Sequence, residues 1–153
     1  MKKIIIKLSA ILLFSAFIGC VSSPPVPIIP KEPVVKTLRF SRNIQSMPPH
    51  KKPSTVEEHI KCGLFYFDQE KYKKAASEFT NGSKKIINKN NSLYRSCLLS
   101  ASVCHLLNDD KNSFVKTFEA VQTSYSEYEW LVAKDDVQLK SLLRLYDELI
   151  KGM

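Results

Sequence analysis

Few residues in this chain are able to do chemistry: three histidines, four cysteines, and the adjacent aspartates Asp109-Asp110 and Asp135-Asp136. A thiol beside an imidazole makes a nucleophile–base pair, and three or four such ligands hold zinc. Cys104-His105, with Cys97 upstream, comes nearest, but no Cys-x-x-Cys pair completes it. His59 has no second histidine four residues on, so the helical zinc-protease signature is absent. His50 lies among prolines. Cys97 and Cys104 are seven apart on one expected helix, beyond the about 4.4–6.8 Å between alpha carbons that a disulfide tolerates. Cys62, Cys97 and Cys104 are expected to be buried small apolar side chains, with a bridge from Cys62 to Cys97 or Cys104 as the alternative. The aspartate pairs fall at expected helix starts, where a carboxylate caps amides and complements the helix dipole. Glycines at 19, 63, 82 and 152 form no phosphate loop. The expectation is a protein that is not an enzyme, with no metal.

Stepping from side chains to the elements that hold them, the composition changes sharply at residue 53. All eight prolines lie between Pro24 and Pro53. "SSPPVPIIPKEP" is too rich in proline for helix or central strand and reads as a polyproline-like spacer. At about 3.1 Å per residue, a spacer over residues 20–53 reaches roughly 100 Å. Val34 to Phe40, mildly apolar, is read as part of this tether, with docking on the folded domain as the alternative.

From Ser54 the apolar residues recur at helical spacing. Ser54-Thr55-Val56-Glu57 has the pattern of a capping box. Ile60, Leu64 and Phe67 form one stripe of a first helix. A second helix carries Tyr72, Ala75, Ala76, Phe79, Ile86 and Ile87. "NKNNS" turns into a third helix, about Leu93 to Leu107. "NDDK" turns into a fourth, about Asn112 to Ser124. A short helix around Trp130 and a last one over Val137 to Lys151, capped by Asp135 or Asp136, complete an all-α domain of about six helices over residues 54–153.

The formal net charge of +8 invites a nucleic-acid reading. Its distribution argues against one. Residues 54–153 carry 14 basic and 14 acidic side chains, so the excess sits in residues 1–53. Lys71, Lys73, Lys74, Lys84 and Lys85 cluster on one expected helix, but Glu70 and Glu78 interleave, as on a solvated face.

The fourth cysteine has a different setting. Lys2 and Lys3 precede an apolar run, Leu8 to Ile18, of the length of a signal-peptide core and too short to span a bilayer. It ends at Phe17-Ile18-Gly19-Cys20. These four residues resemble the lipobox of bacterial lipoproteins, with Phe17 where leucine is usual. The resemblance implies that residues 1–19 are removed and that Cys20 carries a covalent lipid, the only cofactor-like group expected. Two or three acyl chains, at about 0.8 kcal/mol per buried CH₂, anchor a protein where one does not. A bacterial cell envelope is implied, and Val21 after the cysteine favours the outer membrane where there are two.

"CGLFYFDQEKYKKAASEFTNG" resembles a tetratricopeptide repeat. Gly63 and Ala75 stand at the small positions where two helices touch, Tyr66, Tyr72 and Phe79 at the large ones, and Gly82 at the following small one. A second unit follows at an offset of 39 residues, where Ala101, Ser102, His105 and Phe118 match Cys62, Gly63, Tyr66 and Phe79. The end, "WLVAKDDVQLKSLLRL", looks like the closing segment of such arrays. The resemblance implies antiparallel helix pairs stacked as a short right-handed solenoid. In that family the first helix of each unit lines a concave groove. Carried over, the groove residues are Glu57, Ile60, Leu64, Phe67 and Asp68, then Ser96, Leu99, Val103, Leu106 and Leu107. This face suits an apolar peptide unless the closing helices or residues 34–40 already cover it. Two units fall short of the usual three, so a partner or self-association is expected to add stability.

The function expected is a lipid-anchored, non-catalytic scaffold or assembly factor with a protein or peptide partner. The alternative is a structural or surface-exposed lipoprotein with no specific peptide.

Overall fold

The computed structural model describes residues 38, 40, 44–49 and 52–152, and among them every regular element is a helix. Cys20, the apolar run before it and most of the proline-rich stretch lie outside the described residues, as does His50. Six helices follow in order: α1 (Val56–Asp68), α2 (Tyr72–Lys84), α3 (Ser92–Leu107), α4 (Lys111–Thr123), α5 (Glu127–Ala133) and α6 (Val137–Lys151). The first four pack each on the next, and α6 returns onto α4. The result is the all-α stack of helix pairs that the apolar spacing predicts.

Each helix begins where a side chain can take its orphan amides. For α1 the box is one residue later than expected. Thr55, not Ser54, is the N-cap, accepting from the Glu58 amide at 3.2 Å, while Glu58 reaches back to the Thr55 amide at 3.0 Å. The Ser54 amide and hydroxyl also donate to the same Glu58 oxygen. These donors, the Ser54 amide first, hold the Glu58 carboxyl down at about 2. Glu57 instead pairs with Lys61 one turn on. Asn91 caps α3, Asp110 caps α4, Ser126 and Glu129 form a second capping box on α5, and Asp136 caps α6 through the Gln138 and Leu139 amides. The aspartate pairs thus supply caps. The second helix stops at Lys84, short of Ile86 and Ile87.

The two helix pairs are turned by one device used twice, 39 residues apart. Glu70 and Asp109 both adopt a φ of 56°. The Glu70 amide donates to the Phe67 carbonyl and the Lys71 amide to the Tyr66 carbonyl. Asp109 donates to Leu106, and Asp110 to His105, in the same pattern. This is the Schellman arrangement, which satisfies the last carbonyls of a helix and folds the chain back. Burial repeats at the same offset: Cys62 and Ala101, Gly63 and Ser102, Ala75 and Phe114, Phe79 and Phe118 are all buried.

Aspartate tolerates the left-handed region and glutamate does so poorly; a Cβ there costs about 1–2 kcal/mol. Glu70→Gly is therefore expected to raise stability by up to about 1 kcal/mol, after glycine's own entropy loss, and the melting temperature by about 4–8 °C. Thermal unfolding followed by circular dichroism checks this; a lowered melting temperature would show that the Glu70 side chain, not its backbone, matters at this turn.

Two apolar clusters form the core. One holds Ala75, Ala76, Phe79, Ala101 and Cys104 between the first three helices. The other joins Leu98, Leu99, Val103 and Leu106 of α3 to Phe114, Phe118 and Val121 of α4 and Leu139, Leu142, Leu145 and Leu149 of α6. Tyr66, Tyr72, Leu64 and Phe67 line the first cluster, half-buried.

Candidate functional site

The inner face is built from the first helix of each pair. On α1, Ile60 is buried, while Leu64 and Phe67 are half-buried at the edge of the first cluster. On α3, Leu99, Val103 and Leu106 are buried in the second cluster and Leu107 packs against it. Ser96 is half-buried, its carbonyl accepting the Ser100 hydroxyl. Glu57 and Asp68 stand exposed at the two ends of α1. The apolar members of the expected groove are thus gathered together, but most of their surface is spent on the core.

Two segments cover this face. The side chains of α6 share one cluster with Leu99, Val103 and Leu106, so the closing helix occupies the second unit's side. On the first unit's side the cover comes from before α1. Leu38 packs against both clusters, and Phe40 stacks on Phe79 with ring centroids 5.3 Å apart and planes 24° from parallel. Further along, the Met47 amide donates to the Lys61 carbonyl of α1 at 3.2 Å. Residues 44–49 have no regular structure. The apolar packing of the domain therefore reaches back to Leu38, ahead of the boundary at Ser54 that the last proline suggests. The signal was present in "TLRF": two apolar side chains flank one arginine, the spacing that lets an extended segment put both on one side.

The titratable groups elsewhere serve packing. His59, buried, meets Glu78 at 2.7 Å and ties α1 to α2. Arg95 donates to the Ser124 carbonyl and to both Glu129 oxygens, and lies over the Tyr125 ring at 4.1 Å. The Arg95 hydrogen bonds, with the Ser126 donors, hold the Glu129 carboxyl at about 2, so this link between α3 and α5 stays charged at ordinary pH. Cys62, Cys97 and Cys104 are free and buried. Burial pushes the Cys97 thiol up to about 12 and those of Cys62 and Cys104 up as well. Such thiols are poor nucleophiles. Among the described residues no group of three or more His, Cys, Asp or Glu side chains could hold a metal ion. No helix among them is long and apolar enough to cross a membrane.

No family model matches the chain, and no curated protein or solved structure matches it either.

Proposed function

We propose that this chain is a lipid-anchored protein of a bacterial envelope whose tetratricopeptide-like domain is a non-catalytic scaffold for an extended apolar peptide. The membrane anchor rests on the Phe17-Ile18-Gly19-Cys20 sequence behind an apolar run. The repeat reading gains support from the duplicated Schellman turn and from the close approach at Gly63. The observation that carries the peptide reading is the seat of Leu38 and Phe40 on the first unit's inner face. An extended segment with two apolar side chains already binds there, so the shape and chemistry of a ligand are given by the chain itself. A partner of the same pattern competes with it.

The same occupancy favours a second reading, in which the face is a finished part of the core and the lipoprotein is inert bulk. One pair of measurements tests both. Labelled palmitate is expected to enter the wild-type chain and not Cys20→Ser; incorporation into Cys20→Ser would overturn the anchor. A synthetic peptide of residues 34–49 is expected to bind a Leu38→Ser, Phe40→Ser chain and to bind the wild type far more weakly. Leu64→Glu on that background is expected to abolish binding. A doubly substituted chain that keeps its helical circular dichroism but takes up no peptide would decide for the inert reading.

A further inference from the structure

The loop between α2 and α3 has an uneven charge and an apolar tip. From Phe79 to Asn108 the sequence holds Lys84, Lys85, Lys89 and Arg95 and no acidic residue. The rest of residues 54–153 is correspondingly acidic, since the whole span is neutral. Within the loop, Ile87 is 99% exposed. Lys84, Lys85 and Lys89 around it are exposed as well, and Leu93 on the first turn of α3 is 36% exposed.

This tip is held, not trailing. The Lys85 and Ile86 amides donate to Gly82 and Ser83 carbonyls at the end of α2. The Asn88 side chain accepts from the Asn90 amide at 3.0 Å, and the Asn91 amide donates to the Asn88 carbonyl at 3.1 Å. Asn91 then caps α3 through the Leu93 amide at 2.8 Å. A branched aliphatic side chain is thereby presented to water on a fixed turn, with three ammonium groups beside it. Lys84 and Lys85 also suit the C-terminal dipole of α2, but that does not account for Ile87 or Lys89.

An apolar side chain ringed by lysines matches an anionic lipid surface: the ammonium groups meet headgroup phosphates, and the isoleucine enters the acyl boundary. We infer that the α2–α3 loop, through Ile87 with Lys84, Lys85 and Lys89, is a second contact with the anionic bilayer to which the chain is anchored. The inference rests on the anchor reading proposed above. Anchoring makes a weak contact effective, because the tether holds the loop at high local concentration near the surface. It also sets an orientation, turning the α2–α3 end of the stack toward the membrane.

The test uses the full chain acylated at Cys20 and reconstituted in vesicles, with an environment-sensitive fluorophore on Asn90→Cys; the other cysteines of the domain are buried. On vesicles containing phosphatidylglycerol the label is expected to shift to the blue and to be quenched by lipid-borne quenchers. On pure phosphatidylcholine both effects should be weak. Each lysine near an anionic surface contributes about fivefold, so Lys84→Gln, Lys85→Gln, Lys89→Gln together should weaken the contact on the order of a hundredfold. Ile87→Ser should abolish the quenching, and high salt should release the loop. A label that stays in water on anionic vesicles overturns the inference and leaves the anchor standing. So does equal protection on neutral vesicles. Protection that needs no lipid and grows with protein concentration would identify a second copy as the occupant and also overturn it. Failure of acylation is read separately, from palmitate incorporation.

Discussion

Gly63→Val is expected to lower the melting temperature by on the order of 15 °C. A Cβ at residue 63 would lie 2.5, 2.7 and 2.8 Å from three atoms of the Phe79 ring. Real Cβ contacts do not come so close, so one of the two helices must move. The ring has nowhere to go: Phe79 is fully buried, stacked beneath Phe40, and shares its cluster with Ala75, Ala76, Ala101 and Cys104. Overpacking of this kind costs about 1–3 kcal/mol and occasionally more, and valine adds two methyl groups to the clash. The helix gains only a few tenths of a kcal/mol from replacing glycine by valine, so the clash decides the sign. About 3 kcal/mol corresponds to roughly 12–24 °C for a domain of this size. Gly63→Ala should show a smaller loss. Adding Phe79→Leu to Gly63→Ala should cost less than the two changes summed, since the smaller side chain makes room. Calorimetry on the three variants checks the set. Additive losses would show that the approach of α1 to α2 is not governed by this contact.

That contact was legible from the residues, because a small side chain opposite a large one is the condition for two helices to touch closely. Much else about the fold was legible for similar reasons. Each helix boundary is marked by residues with local hydrogen-bonding power, such as Asn91 and Asp136, and local signals survive packing. The capping box slipped by one residue because Ser54 and Thr55 are both competent caps; the choice fell to whichever glutamate, Glu57 or Glu58, faced back along the chain. Ile86 and Ile87 read as helix because they continue the apolar spacing, while the Lys85 and Ile86 amides close the last turn and end it. The inner face was harder. Apolar spacing says that Leu99 and Val103 face something, and cannot say whether that is a ligand or α6. Leu38 and Phe40 lie 16 to 18 residues ahead of α1, beyond the reach of any periodicity, among prolines that speak only for an extended chain. The duplicated turn at Glu70 and Asp109 was hidden for a different reason: the two residues share a backbone angle that glutamate does not advertise.

The second unit predicts the other large effect. Phe118, one repeat after Phe79, is fully buried where three aromatic contacts meet. Phe114 stacks on it at 5.6 Å, Trp130 meets it edge-on at 6.5 Å, and Tyr146 lies tilted at 5.5 Å. Through these rings α4 is joined to α5 and α6. Phe118→Ala removes all three contacts and leaves a cavity, a change that costs about 3–5 kcal/mol. Against a total of about 5–15 kcal/mol, that is a large share. The loss should also be uneven. With seven residues, α5 is far shorter than the about 12–15 that a helix needs to persist alone. Among its side chains none is buried, and it is held by the Trp130 contacts and the Arg95–Glu129 pair. The single tryptophan of the chain therefore reports on its own attachment. In Phe118→Ala, Trp130 emission is expected to shift to the red in the native state, while α1 to α3 keep their slow amide exchange. Phe118→Leu should recover much of the stability but not the ring contact with Trp130. Unchanged emission in Phe118→Ala would mean that the Arg95 link alone seats α5, and the aromatic junction would then be filling, not fastening.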